Sequence, residues 1–196
     1  MTTFLSRSLP AWGLALLALA SCSTFKPVND PATRHVLDPA IPFKAGSSST
    51  PALAVARPSL PSYLDRQQLV SRDATGSVKV MDSQLWLEPL TEGIARVTAA
   101  NLSRLTGSTT ILPVSDFLTL DYTGLVELRV LRFDPDATGA MILECTWRIQ
   151  TVRGTELPYQ SFRTEVPLPP GASAADHVKA MNDALGQLAR KIATRA

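Results

Sequence analysis

The strongest constraint on the fold lies between residues 124 and 149. Gly124 to Phe133 carries Val126, Leu128 and Val130 at every second position, and Asp134-Pro135-Asp136-Ala137-Thr138-Gly139 follows as a set of turn residues. The returning segment places Met141, Leu143, Cys145, Trp147 and Ile149 on one face, against Ile142, Glu144, Thr146 and Arg148 on the other. A period of two belongs to a half-buried strand, because successive side chains point to opposite sides of a sheet. The hairpin therefore needs a second layer over its apolar face. Asp134 and Asp136 read as turn chemistry rather than as a catalytic pair.

Two helical stripes can supply that layer. Leu87, Leu90, Ile94, Val97, Leu102 and Leu105 recur at helical spacing, with Asp82 or Ser83 as the expected N-cap and Gly107 as the stop. Pro89 fits only in a first turn, which puts the start near Trp86 to Glu88. Glu88 near the start and Arg104 near the end suit the helix dipole. Ser173 opens a second helix, with Val178, Met181, Leu185, Leu188 and Ile192 as its apolar stripe.

Shorter segments complete the sheet. Ala52 to Ala56, bounded by Pro51 and Pro58, is a continuous small apolar run and suits a central strand buried on both faces. Arg34 to Leu37, Leu69-Val70, Val78 to Val80 and Thr109 to Val114 read as further strands. Leu157 to Val166 reads as a less regular strand, with Pro158 marking an edge or a bulge, because proline cannot donate to a ladder. Pro61 and Ser62 start a short helical turn through Arg66. The sum is an α/β sandwich, a mixed β-sheet flanked by two long helices, with no internal repeat.

The N-terminus has a different character. Met1 to Pro10 carries Arg7 and no acid, and Ala11 to Ala20 is apolar but too short for the roughly 20 residues a bilayer demands. Leu19-Ala20-Ser21-Cys22 ends that run in small residues, as a signal-peptide cleavage site does. These four residues resemble the lipobox of bacterial lipoproteins. The resemblance implies a signal peptide over residues 1–21, a diacylglycerol on Cys22, a tether over 22–33 containing Pro27 and Pro31, and one domain over 34–196. Ser23, in place of the Asp that retains many lipoproteins at the inner membrane, points to the outer membrane and its periplasmic face. With Cys22 acylated, Cys145 has no disulfide partner and reads as a small buried hydrophobe. A Cys22–Cys145 disulfide is the weaker reading, since Cys22 sits where the cleavage signal puts it.

Several function classes lack support. Of 196 residues, 45% are hydrophobic and 18% charged, which fits a globular chain. The net charge of +2 includes Arg7 of the leader, and no basic stripe marks a nucleic-acid surface. His35 and His177 are far apart in sequence, and His177 is expected to be solvated in the first turn of the last helix. No HExxH, GxSxG, P-loop or GxGxxG pattern is present. The chain therefore offers no catalytic residue, no metal-ligand set and no cofactor besides the lipid on Cys22.

Two stretches remain: Leu60-Pro61-Ser62-Tyr63-Leu64-Asp65-Arg66 and Trp86-Leu87-Glu88-Pro89-Leu90. Read singly they form a structural corner, with Tyr63 and Trp86 as core aromatics, Asp65 and Arg66 in local pairs, and Pro89 opening a helix. In this order behind a lipobox, they resemble the auxiliary lipoprotein family of ABC-type transporters, typified by the C component of the paraquat-inducible operon. The resemblance runs from about His35 to Ile192. Family members carry an aromatic where this chain has His35, and "WAEPL" where this chain has Leu87.

The resemblance implies an anticodon-binding-domain-like fold and a non-enzymatic accessory role. Such a lipoprotein meets, at the outer membrane, the far end of a periplasm-spanning MCE (mammalian-cell-entry) domain protein of an ABC-type lipid transporter. A homo-oligomeric ring would suit that role. Tyr63, Leu64, Asp65, Arg66, Trp86, Glu88 and Pro89 become candidate partner-binding or structural residues. A periplasmic adaptor or activator lipoprotein for cell-wall synthesis or secretion assembly pairs the same anchor with a similar domain, and stays open as the alternative.

Overall fold

The computed structural model describes residues 31–43, 45–46, 52–73, 75–114, 122–151 and 157–195. The expected signal peptide, Cys22, most of the expected tether and most of the Ser/Thr-rich stretch 44–50 lie outside the described residues. The elements are β1 (Thr33–His35), β2 (Leu53–Val55), β3 (Gln68–Arg72), β4 (Val78–Trp86), α1 (Leu90–Thr106), β5 (Ile111–Pro113), β6 (Gly124–Pro135), β7 (Ala140–Thr151), β8 (Gln160–Pro167) and α2 (Ala174–Ala193).

Eight strands form two sheets among the described residues. The larger has the order β5-β2-β6-β7-β8 and the smaller β1-β4-β3. In the larger, β2 runs parallel to both β5 and β6, while β6, β7 and β8 form an antiparallel meander. Helix α1 covers β2 and β5, α2 covers β7 and β8, and the helices pack on each other as one layer. The α/β sandwich read from the sequence is thus present, but with a second sheet. Alternation marks which residues share a face and carries no information on which strands pair.

Local chemistry explains most elements. The small apolar run sits where both faces are covered, with Leu53, Ala54 and Val55 all buried in β2. Strand β8 is an edge, and it begins after Pro158. In α2 the Ser173 side chain accepts from the Asp176 N–H, and Asp176 accepts from the Ser173 N–H, a reciprocal capping box. The expected stripe from Val178 to Ile192 is buried throughout. Gly107 closes α1 with φ of 71°, a left-handed conformation that glycine adopts without a Cβ penalty.

Two boundaries differ from the sequence reading. Asp82 and Ser83 do not cap α1. They lie in β4, where the register with β3 shifts between Gln68↔Leu85 and Leu69↔Met81. The helix begins at Leu90 with Pro89 as its N-cap, and no side chain caps it. Pairing of β4 with β1 and β3 overrides the capping tendency of Asp and Ser. Leu87 consequently lies outside the helix and is 66% exposed.

The second difference lies in the hairpin. β6 continues through Asp134 to Pro135, so the turn is shorter than expected. Asp136 builds it, accepting from the N–H groups of Thr138 (2.9 Å) and Ala140 (3.1 Å). Upstream, the pairing steps from Val130↔Cys145 to Arg132↔Glu144, which leaves Leu131 as an extra, exposed residue. A β-bulge of this kind reverses the facing of everything after it. Phe133 therefore enters the core beside Leu143, and Asp134 turns to the opposite face.

Candidate functional site

The Pro61–Arg66 stretch is one tight turn. The Leu64 N–H donates to the Pro61 carbonyl at 2.9 Å and the Asp65 N–H to the same oxygen at 3.3 Å. The turn sorts its side chains. Leu64 is buried and Tyr63 half-buried, while Asp65 and Arg66 are exposed. At the end of β4, the Trp86 N–H donates to the Gln67 carbonyl at 2.6 Å, which brings the two motifs together. Asp65, Arg66 and Gln67 form one wall of an open cleft of about 270 Å³, and Trp86 through Leu90 form the other. Of the seven candidate residues, Asp65, Arg66, Trp86, Glu88 and Pro89 line this cleft, whereas Tyr63 and Leu64 do not.

Glu88 is held from α1. It accepts from Arg96 Nη2 and, at 3.4 Å, from Nε, and Nη2 also donates to the Leu37 carbonyl at 2.9 Å. One arginine thus ties the cleft wall to the segment after β1. Gly93 makes the room: a Cβ there would lie 3.2 Å from Glu88 Oε1 and 3.5 Å from Leu37 Cδ1. Asp65 and Arg66 behave differently. Among the described residues neither side chain has a hydrogen-bond or ion-pair partner, so the local pairs expected for them do not form there.

Tyr63 points the other way. Its hydroxyl donates to Asp134 Oδ2 at 2.6 Å. Asp134 also accepts from Arg72 Nε at 3.2 Å and Arg132 Nε at 2.9 Å, and its side chain is 1% exposed. Burial, reinforced by the hydrogen bond to Asp134, pushes the Tyr63 phenol up to about 12. The Arg72 guanidinium also stands over the Tyr63 ring, 5.2 Å from its centroid. This group clamps the Pro61–Arg66 turn onto β6. No local pattern could reveal it, because Asp134 reaches its facing position only through the bulge at Leu131.

Behind the cleft, Leu64, Gln68, Trp86, Leu90, His177 and Met181 border a void of about 10 Å³. His177 is not solvated as expected. Its Nδ1 is buried without a hydrogen-bond partner among the described residues, and desolvation pushes the imidazole pKa below its ordinary value. His35 instead shares a 2.7 Å hydrogen bond with Gln84 Oε1. Among the described residues no group of His, Cys, Asp or Glu is arranged to hold a metal. The cleft offers an apolar floor and, among the described residues, a carboxylate and a guanidinium without partners, the chemistry of recognition.

Residues 35–193 match the family model of the ABC-type transport auxiliary lipoprotein component. The chain belongs to that family. Both motifs, both helices and both sheets of this auxiliary lipoprotein lie almost wholly inside the match. No curated protein sequence matches it. Its fold is similar to that of an uncharacterized protein, at 20% identity and a TM-score of 0.65, covering 84% of this chain and 97% of that one. It is also similar to protein XCC0632 from Xanthomonas campestris, of the DUF330 family, at 18% identity and a TM-score of 0.62, covering 82% and 92%. A PelC dodecamer from Paraburkholderia phytofirmans is far more distant, at 11% identity and a TM-score of 0.39 over 73% and 92%. Among the described residues of the auxiliary lipoprotein, no helix is long and apolar enough to cross a membrane.

Proposed function

We propose that this auxiliary lipoprotein is a non-enzymatic periplasmic adaptor, held at the outer membrane by lipid on Cys22, that docks an MCE-domain protein of an ABC-type intermembrane lipid transport system. The observation that carries this reading is the meeting of two separate motifs at one open cleft whose Asp65 and Arg66 have no side-chain partner among the described residues. Unpaired charges beside apolar surface suit a binding face. Asp65, Arg66, Trp86, Glu88 and Pro89 are that face, and Tyr63 and Leu64 hold it in position.

The anchor belongs to the function in this reading. One acyl chain binds a membrane only marginally, and stable attachment takes at least two signals. A bacterial lipoprotein cysteine carries several chains, so the domain stays at one membrane to meet a partner reaching from the other. A ring of copies would make a collar for that partner.

Co-purification from native membranes tests the proposal. An MCE-domain protein should be recovered with the lipidated chain. Recovery of none, with the MCE protein expressed and Cys22 acylated, removes the reading. Cys22→Ala should yield soluble protein or uncleaved precursor, and full outer-membrane retention of that variant would remove the anchor.

A further inference from the structure

The rim of the cleft carries a feature that neither motif announces. The Leu87 N–H donates to the His35 carbonyl at 2.9 Å. That bond completes the His35↔Trp86 rung of the parallel ladder, so Val36 and Leu87 each follow directly on a paired residue. Both are exposed, Val36 at 36% and Leu87 at 66%. Single exposed aliphatics are ordinary on any protein surface. Leu87 is different, because it lines a cleft floored by Trp86, Pro89 and Leu90. The opposite wall presents Asp65 and Arg66, unpaired among the described residues, whereas Glu88 is already neutralised by Arg96.

Size narrows the occupant. The cleft, at about 270 Å³, is smaller than the roughly 300–1,000 Å³ of sites that enclose a small molecule. A diacyl lipid is larger still, so this cleft does not take the cargo. One or two amino-acid side chains match it.

We propose that the cleft seats a single apolar side chain of a protein partner, carried on an extended segment with a basic residue facing Asp65 and an acidic residue facing Arg66. This rests on the adaptor reading and names the chemistry of the docked segment. The apolar anchor, desolvated against Trp86 and Leu87, supplies most of the affinity, as central anchors do at protein interfaces. The two rim charges set the register of the segment and speed its encounter, and their effect weakens with salt.

The test places a photo-reactive benzophenone amino acid at position 87 of the full-length, lipidated chain in its own membranes. Irradiation should join it to one protein, through a peptide in which an apolar residue lies between a basic and an acidic one. Asp65→Arg and Arg66→Glu should each lower the adduct yield about fivefold at low ionic strength, and less at high ionic strength. Both residues are exposed, so the variants should keep the melting temperature of the parent. The same probe at the exposed Leu131 should not give this adduct.

Adducts to lipid alone, adducts to a second copy of this chain, or no protein adduct would overturn the assignment. So would a mapped peptide without flanking charges, or a yield indifferent to Asp65 and Arg66. The two readings fail separately. An adduct of the predicted kind to a protein lacking an MCE domain keeps the cleft and removes the transport role. Co-purification of an MCE-domain protein without an adduct at position 87 keeps the transport role and removes the cleft.

Discussion

The Tyr63 hydroxyl reaches Asp134 Oδ2 at 2.6 Å across 71 positions of sequence. That bond joins the turn presenting Asp65 and Arg66 to the strand at the centre of the larger sheet. The cleft therefore stands on a buried carboxylate shared with Arg72 and Arg132. Removing Asp134 should hurt more than removing Tyr63. Tyr63→Phe loses one hydrogen bond to a charged acceptor, about 1.5–3 kcal/mol. Asp134→Ala leaves two partly buried guanidiniums facing each other, about 3–5 kcal/mol. Urea unfolding of the two variants should show that order, and equal losses would mean the clamp does not hold the turn. Tyr63 also has a folded pKa near 12, above its unfolded value. Its contribution is complete below about pH 10 and lost as pH rises through 12, so Tyr63→Phe should lose less stability than the parent in that window.

His177 makes the opposite prediction. Its folded pKa is depressed by burial, so the unfolded chain binds its proton at higher pH than the folded one. Stability is then complete above about pH 6.5 and falls as pH drops toward the folded pKa. Melting temperatures between pH 5 and 7 should decline for the parent and flatten for His177→Gln. The lowered carboxyls of Asp73, Asp136 and Asp176 lose their contribution only as pH falls below their ordinary range, outside this window. An unchanged slope in His177→Gln would place the imidazole in water.

Cys145 is 1% exposed, and burial, with the nearby Glu144 charge adding to it, pushes its thiol up to about 12. A thiolate is the reactive form, so a maleimide should not label Cys145 in the folded protein at pH 7. Labelling should appear with denaturant, following global unfolding. Rapid labelling under native conditions would show that β7 opens locally.

Gly124 stands where β6 passes β2. A Cβ there would lie 2.8 Å from Leu53 Cδ2 and 3.3 Å from Ile149 Cγ2. Gly124→Ala should cost about 1–3 kcal/mol by overpacking, seen as a lower urea midpoint with an unchanged slope. Leu53→Ala in the same chain should recover part of that loss relative to the sum of the single variants, because the clash and the cavity share a site.

Much of the architecture was legible because its cause is local. Alternation at Met141 to Ile149 needs only the pleat, and the stripe from Val178 to Ile192 needs only the helical period. Ser173 and Asp176 cap α2 with groups three residues apart. The misreadings share the opposite property. Asp82 and Ser83 have the chemistry of caps, yet they lie inside β4, whose flanking residues pair with β1 and β3. Asp134 has the chemistry of a turn, yet one extra residue at Leu131 rotates it into a buried ionic cluster. His177 looks like a solvated first-turn residue until the β3–β4 corner covers it.

The candidate site divides along the same line. Residue types and spacing alone single out Leu60–Arg66 and Trp86–Leu90, suit them to an anchored corner, and set them in the order of one lipoprotein family. Only the tertiary structure decided which of them face outward. The one-turn geometry at Pro61 sends Tyr63 and Leu64 into the protein and leaves Asp65 and Arg66 exposed. The ladder between β1 and β4 turns Leu87 from an expected helix residue into the exposed rim of a cleft. The physical reason is that periodicity is written in neighbouring residues, whereas the direction a side chain faces depends on pairings between segments far apart in the chain.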